Sequence, residues 1–195
     1  MLKPKHTVRY LLGWYRGEAK VSALGRQFLY VSCVALAASL LLPGQNAKAM
    51  WQLSISVPLS HDERIISLDP SQHFHVLLTN VSGQSQKFWK ESCSWGYSVL
   101  SLELTNELGK KAVVKKKPRS WRKNFPDFWT IQPGGSLVFD VYLGGESWEG
   151  LPAAEFGSNV RVRALIEVPA DEDARRLGVW TGHLSSEAEA CVLQR

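Results

Sequence analysis

Apolar and polar residues alternate along much of the chain, and this alternation is its main structural signal. A period of two places successive side chains on opposite faces of a strand. Five segments each have an apolar face and a more polar face, which is typical of antiparallel sheets that cover a core on one side. These segments are 51–57, 73–80, 99–105, 136–143 and 159–168. Weaker alternation predicts four more strands, at 111–115, 128–131, 179–184 and 190–193.

Turn-forming residues separate these strands, at 80–83, 106–109, 133–135 and 144–145. Seven to nine short strands between residues 50 and 195 predict an all-β fold, an immunoglobulin-like antiparallel β-sandwich. The alternative is a small closed barrel.

One segment departs from the strand pattern. It begins with Pro169 and acidic residues and ends with Arg175, Arg176 and Gly178. This order suits the helix dipole and the usual start and stop signals. We therefore expect one short helix near 170–177, in a crossover between the last strands.

The N-terminal region has the features of a signal peptide. Residues 28–42 are uncharged and mostly apolar, basic residues precede them, and Ala47-Lys48-Ala49 follows. Cleavage between Ala49 and Met50 would remove residues 1–49 and give an exported product that is periplasmic, cell-surface or secreted. The alternative is an uncleaved membrane anchor at 28–42, although such a helix reaches only about 22 Å across a hydrocarbon core of roughly 30 Å.

Removal of the leader changes the charge. Residues 1–49 hold seven of the 23 lysine and arginine residues and one of the 18 acidic residues, which leaves 16 basic and 17 acidic residues. The net charge of residues 50–195 is then −1, and the basic balance of the full chain gives no support to nucleic-acid binding. A membrane partner is expected only if the leader stays uncleaved.

Two cysteines, Cys93 and Cys191, remain after residue 49. In an oxidising compartment an even pair favours a disulfide, which we predict here. The alternative is two separate buried thiols. No activating base lies near either cysteine in the sequence, so neither is predicted to be a nucleophile.

Three stretches resemble bacterial immunoglobulin-like domains of exported proteins: HVLLTNVSGQSQKFW, IQPGGSLVFDVYL and VRVRALIEV. The pattern is a strand that ends in Thr-Asn, a Pro-Gly-Gly turn that leads into a strand, and a long penultimate strand. It covers residues 70–168 and is also similar, more loosely, to the intracellular proteinase inhibitor domain of bacilli. The resemblance implies a noncatalytic sandwich used in adhesion, scaffolding or protein binding, and it assigns no functional residue.

A basic and aromatic segment lies outside this pattern and is the leading candidate for a binding site. Cations beside aromatic rings can hold an anionic glycan, a lipid headgroup or a nucleic acid strand, and export makes nucleic acid the weakest of these. The alternative is a loop whose rings pack on the sandwich while its charges face water. The candidate residues are Lys115, Lys116, Lys117, Arg119, Trp121, Arg122 and Lys123.

Tryptophan is abundant, and its indoles either stack on sugars or fill the core. Trp51 heads an apolar face and is expected in the core, whereas Trp95, Trp121 and Trp148 lie near Gly or Pro and are better candidates for exposure.

The spacing of the histidine and glutamate residues does not indicate a metal site or a catalytic site. His73 and His75 share a strand face, but local spacing fixes no third metal ligand, although His61 and His183 occur elsewhere. Glu146 and Glu149 flank a tryptophan in a glycine-rich loop and are expected to be solvated. We predict no metal, no cofactor and no catalytic residues.

The sequence therefore predicts an exported, noncatalytic binding domain whose partner is an envelope or secreted protein. The alternative is a carbohydrate or anionic-polymer binding module that uses residues 115–129, with an anionic glycan as its ligand.

Overall fold

A computed structural model describes residues 50–60, 62–68, 72–144 and 146–195. The predicted signal peptide, its cleavage site after Ala49 and the alternative anchor at 28–42 lie outside these residues. The described residues belong to one compact unit. No helix among them is long and apolar enough to cross a membrane.

The described part of the chain is mostly β-strand, as predicted, but it contains thirteen strands and not seven to nine. The additional strands are short segments in which apolar and polar residues do not alternate clearly. In chain order the strands are β1 (Trp51–Ser56), β2 (Leu59–Ser60), β3 (Glu63–Ser67), β4 (Phe74–Asn80), β5 (Gln86–Trp89), β6 (Leu100–Asn106), β7 (Lys111–Lys116), β8 (Phe128–Ile131), β9 (Ser136–Val141), β10 (Trp148–Glu149), β11 (Asn159–Val168), β12 (Gly182–Ser185) and β13 (Glu189–Gln194).

The strands form three sheets. A three-stranded sheet has the order β1-β4-β9, and a large sheet has the order β10-β7-β6-β11-β13-β3-β2. Strand β12 also pairs with β11 in the large sheet, and β5 pairs with β8 in a two-stranded sheet. All these pairs are antiparallel except that between β3 and β13, which is parallel and so corrects the prediction of wholly antiparallel sheets.

The core is built from the apolar faces that the alternation predicted. All five predicted inward positions of β11 are buried, and so are those of β4 and β6. Full burial of the valine, leucine, isoleucine and phenylalanine side chains among them contributes about 1.5–3 kcal/mol each to stability, before conformational entropy is subtracted. These residues are Val160, Val162, Ala164, Ile166, Val168, Phe74, Val76, Leu78, Leu100, Leu102 and Leu104.

The predicted helix near 170–177 is present as a short helix, and a second short helix precedes it in the chain. Helix α1 (Ser94–Tyr97) was not predicted, and helix α2 (Glu172–Leu177) follows β11. The Asp171 side chain accepts a hydrogen bond from the Ala174 backbone N–H, and Gly178 ends the helix with φ +67°. Because β11 and β12 are antiparallel neighbours, the connection that contains α2 stays within one sheet and is not a crossover.

The end of β4 is joined to the turn before β9 by the buried side chain of Asn80. Its Nδ2 donates to the carbonyl oxygens of Gln84 (2.8 Å) and Ile131 (2.9 Å), and its Oδ1 accepts from the Ser82 backbone N–H (3.0 Å). The backbone N–H of Gly134, at φ +76°, donates to the Asn80 carbonyl oxygen. The Thr-Asn and Pro-Gly-Gly sequences thus belong to one hydrogen-bonded structure.

The predicted disulfide is wrong, because Cys93 and Cys191 are buried free thiols. Cys93 directly precedes α1, which leads to the Leu100 end of β6. Cys191 pairs with Val160, which pairs with Asn106 at the opposite end of β6. The length of β6, about 20 Å, far exceeds the Cα separation of about 7 Å that a disulfide can bridge.

Candidate functional site

The candidate basic segment begins on β7 and continues through the loop that leads to β8. Strand β7 pairs with β10, which brings Trp148 opposite Lys116 and Glu149 opposite Lys115. Gly150 has φ +80°, and a Cβ there would collide with the carbonyl oxygen of Val113 on β7. Only glycine therefore lets β10 leave the sheet so close to β7, and this approach places Trp148 beside the basic segment.

Lys116 lies between two aromatic rings. Its Nζ is 4.9 Å from the ring centroid of Trp148, which is buried, and 5.4 Å from that of Tyr97 in α1. Only 17% of the Lys116 side chain is exposed. A cation that is largely removed from water interacts more strongly with an aromatic face than an exposed cation does.

Arg119 continues the same arrangement. Its Cζ is 4.5 Å from the Tyr97 ring centroid and 3.8 Å from that of Trp121, and the two rings meet edge to face at 5.6 Å. Trp148, Lys116, Tyr97, Arg119 and Trp121 thus alternate as ring and cation, and we call this set the cation–aromatic ladder. Lys116 and Arg119, two of the predicted binding cations, therefore already interact with aromatic rings of the protein. The predicted Trp121 likewise already contacts Arg119 and Tyr97.

Glu91 lies beside the ladder, with its Oε1 3.8 Å from the Lys116 Nζ. Burial raises the pKa of the Glu91 carboxyl, the charge of Lys116 opposes this rise, and the charge of Asp140 adds to it. Lys116 therefore contacts two aromatic rings and also lies beside a carboxylate whose ionisation is disfavoured by burial.

The other predicted binding residues are exposed, as Arg119 is, but none of them lies over an aromatic ring of the described residues. Lys115 pairs with Glu149 at 3.3 Å on the surface. Lys117, Arg122 and Lys123 are exposed. The predicted site thus divides into two groups. Lys116, Arg119 and Trp121 belong to the ladder, and the remaining predicted residues are exposed cations outside it.

Two aromatic residues reach solvent just after this segment. Phe125 is 76% exposed and Trp129, on β8, is 49% exposed. The Nζ of Lys90 lies 4.4 Å from the Trp129 ring centroid and 2.8 Å from the Asp127 Oδ2. The hydrogen bond from Lys90 lowers the pKa of the Asp127 carboxyl. We call Phe125, Trp129 and Lys90 the Phe125–Trp129 surface.

The exposure of the tryptophans differs in part from expectation. Trp51 is buried, as predicted, but Trp148 is only 3% exposed, so its prediction was wrong. Trp95 and Trp121 are half-buried. Trp129, which the sequence did not single out, is the tryptophan among the described residues that stands out as exposed. The residues next to Trp129 in the sequence did not indicate that its side chain would be exposed, because its exposure depends on how β8 pairs with β5.

His73 and His75 lie on one strand face, as predicted, and share a single carboxylate. Their Nδ1 atoms are 2.9 Å and 3.5 Å from the same Oδ1 of Asp140, and His73 stacks on Tyr142. Within the described ranges, no group of three or more His, Cys, Asp and Glu residues is placed to hold a metal ion. His61 lies outside those ranges.

A groove that the sequence analysis missed crosses the outer face of the large sheet. It consists of two depressions, of about 490 Å³ and 270 Å³, that both include Thr105 and Arg161. Arg163 lines the smaller depression and Cys191 the larger. Burial raises the pKa of the Cys191 thiol to about 11, so this thiol is protonated at neutral pH.

Comparison with protein-family models gave no match, and comparison with curated proteins gave no significant match.

Proposed function

We propose that residues 50–195 are an exported, immunoglobulin-like domain that binds another protein of the envelope or of a secreted assembly and catalyses no reaction. The Phe125–Trp129 surface is its contact region. Residues 1–49 act as the signal peptide in this proposal, and the mature chain begins at Met50.

The order of the strands supports an immunoglobulin-like fold. The main strands β1, β4, β6, β7, β9, β11 and β13 correspond in chain order to A, B, C, C′, E, F and G. The sheets β1-β4-β9 and β7-β6-β11-β13 then have the orders A-B-E and C′-C-F-G. A strand C′ beside C is a feature of the variable type of this fold.

The exposure of Phe125 and Trp129 is the observation that carries the binding proposal. Large aromatic side chains are enriched in the centres of protein interfaces, and a cation beside them adds specificity. Lys90 supplies that cation, and its pairing with Asp127 fixes it over the Trp129 ring. A ring at 76% exposure and another at 49% gain most from being covered by a partner.

One observation favours the alternative of a carbohydrate-binding module. An exposed indole such as Trp129 can stack on a sugar ring, and Arg122 and Lys123 lie nearby in the chain to meet an anionic glycan. The cations of the ladder would contribute little, because they already contact aromatic rings.

Site-specific photo-crosslinking tests the protein-binding proposal. A photoreactive residue at position 125 should give a discrete protein adduct in the producing cells, and Trp129→Ala should abolish it. The same residue at position 108 is the matched control, since Leu108 is 92% exposed but lies on the turn between β6 and β7.

Two results would contradict the proposal. The first is an identical adduct pattern at positions 108 and 125, which would show nonspecific capture. The second is retention by an immobilised acidic polysaccharide that Trp129→Ala abolishes, without any protein adduct, which would favour the carbohydrate alternative. Mass spectrometry of the exported product tests whether it starts at Met50.

A further inference from the structure

Two arginines on the central strand of the large sheet have no side-chain partners among the described residues. Arg161 and Arg163 occupy outward positions of β11, two residues apart. Neither side chain makes an ion pair or a hydrogen bond with any residue in the described part of the chain, and the Nε of Arg163 is buried without a partner. A buried donor without an acceptor is costly, so the Arg163 side chain gains from any rearrangement that brings an acceptor to it.

Three of the nearby carboxylates are already engaged, whereas Asp62 and Glu63 in the larger depression form no ion pair with a described residue. Glu103 lies opposite Arg163 in the sheet but accepts from Lys111 at 3.0 Å and 3.1 Å. Glu189 pairs with Arg64 at 3.8 Å. Glu107, which lines the larger depression, accepts from Asn159 at 2.8 Å. Glu187 lines the smaller depression and has no ion pair with a described residue.

Small residues leave open the space around the arginines. Arg161 is opposite Thr105 on one side and Ala190 on the other, and Ala188 lines the smaller depression. Positions on an exposed sheet face usually carry larger side chains that pack against their neighbours across the strands. Here the short side chains leave a groove along β11, which we call the Arg161–Arg163 groove.

The spacing of the two arginines matches one kind of ligand. Residues two apart on a strand are separated by about 6.7 Å. An extended peptide repeats its side chains on one face at the same interval, and a guanidinium can hold a carboxylate with two parallel hydrogen bonds. We propose that the Arg161–Arg163 groove binds an extended acidic peptide segment in which two carboxylates, two residues apart, each pair with one arginine.

The proposal does not depend on the Phe125–Trp129 surface and adds a second, charge-selective site. The acidic residues of the groove that form no ion pair would repel a highly negative ligand, so we expect the bound peptide segment to carry few negative charges. Glu187 in particular would repel it, so loss of the Glu187 charge should strengthen binding.

Isothermal titration of the full-length protein at low salt tests the proposal. The probe is a blocked peptide of alternating Thr and Glu, and its control is the same peptide with Gln in place of Glu. Binding of the Glu peptide alone is expected. Arg161→Gln and Arg163→Gln should each weaken binding about tenfold, as loss of a charged hydrogen-bond pair does.

Three further variants sharpen the test. Arg163→Lys keeps the charge but loses the planar fork, so it should bind more weakly than the wild type. Glu187→Gln should bind more tightly. Arg175→Gln removes an exposed positive charge on α2, outside the groove, and should leave binding unchanged.

Other results would overturn the proposal. They are equal binding of the Glu and Gln peptides, unchanged affinity in Arg161→Gln and Arg163→Gln, or binding of a sulfated polysaccharide at these arginines without binding of the Glu peptide. Thermal melts of each variant establish that it is folded, and both arginine positions face outward from the core.

Discussion

The cation–aromatic ladder and the Arg161–Arg163 groove both concentrate positive charge, but their cations have opposite surroundings. Lys116 and Arg119 each lie between two aromatic rings. Arg161 lies between Thr105 and Ala190, Arg163 lies opposite Glu103, and neither arginine is paired with an acceptor in the described part of the chain. The comparison teaches that the density of charge in the sequence is a poor guide to which cations are free to bind.

The physical reason is that groups of the protein next to a cation compete with a ligand for that cation. A ring within about 6 Å of a cation offers attraction that a ligand would have to replace, so the ladder is expected to stabilise the loop after β7. A guanidinium beside alanine and threonine has no such competitor. The ladder is therefore expected to contribute to stability and the groove to recognition, and substitutions can separate these roles.

Removal of the buried end of the ladder should have the largest effect. Trp148→Ala should lower the free energy of unfolding by about 3–5 kcal/mol, because it leaves a cavity beside β7 and removes the ring under Lys116. Urea denaturation provides the measurement. Phe125→Ala, at an exposed ring, should stay within about 0.5 kcal/mol. Equal effects of the two substitutions would contradict the burial of Trp148.

Loss of a ladder cation should have an intermediate effect. Lys116→Met keeps most of the apolar stem but removes the charge between Trp148 and Tyr97, so we expect a loss of about 1–2 kcal/mol. A double-mutant cycle with Tyr97→Leu should then show positive coupling between the two residues. Additive effects would show that the ring and the cation do not interact.

Glu91 provides a smaller, pH-dependent test of the ladder. Its pKa is raised by burial, so its contribution to stability is full below the ordinary glutamate pKa and is lost as pH rises through the folded-state pKa. Glu91→Gln should therefore be more stable than the wild type at neutral pH and equal to it in acid. The gap should widen in Lys116→Met, which lacks the opposing charge. A gap that grows toward acid pH would refute this assignment.

Removal of the groove cations should have the smallest effect on stability. Arg161→Gln and Arg163→Gln should change the free energy of unfolding by no more than about 0.5 kcal/mol. At low salt any change should be an increase, because two like charges no longer face each other. Denaturation at two salt concentrations measures this, and a loss comparable with that of Lys116→Met would remove the distinction between the two regions.

Local patterns accounted for much of the fold. The alternation at 159–168 correctly identified every buried residue of β11, because the backbone of a strand directs successive side chains to opposite faces. The acidic start and the Gly178 end correctly predicted α2. By contrast, β3 and β5 carry no clear alternation, and their pairing depends on distant strands. The predicted Cys93–Cys191 disulfide was wrong for the same reason, since neither the redox compartment nor an even number of cysteines determines the distance between the two thiols.

The candidate site was predicted only in part. A run of cations with Trp121 singled out this segment in the sequence, but Tyr97 and Trp148, whose rings contact Lys116 and Arg119, come from other parts of the chain. Arg161 and Arg163 looked like ordinary polar positions of a strand. Their lack of partners became visible only when the residues across the sheet were known.

The sequence by itself determined which of the longer segments extend, which of their faces are apolar and where the helix α2 begins and ends, because backbone geometry sets these periods locally. The tertiary structure alone decided that Cys93 and Cys191 do not meet, which tryptophans reach solvent and which cations of the described residues remain unpaired. Those outcomes depend on strand order and register, which bring together residues that are far apart in the chain.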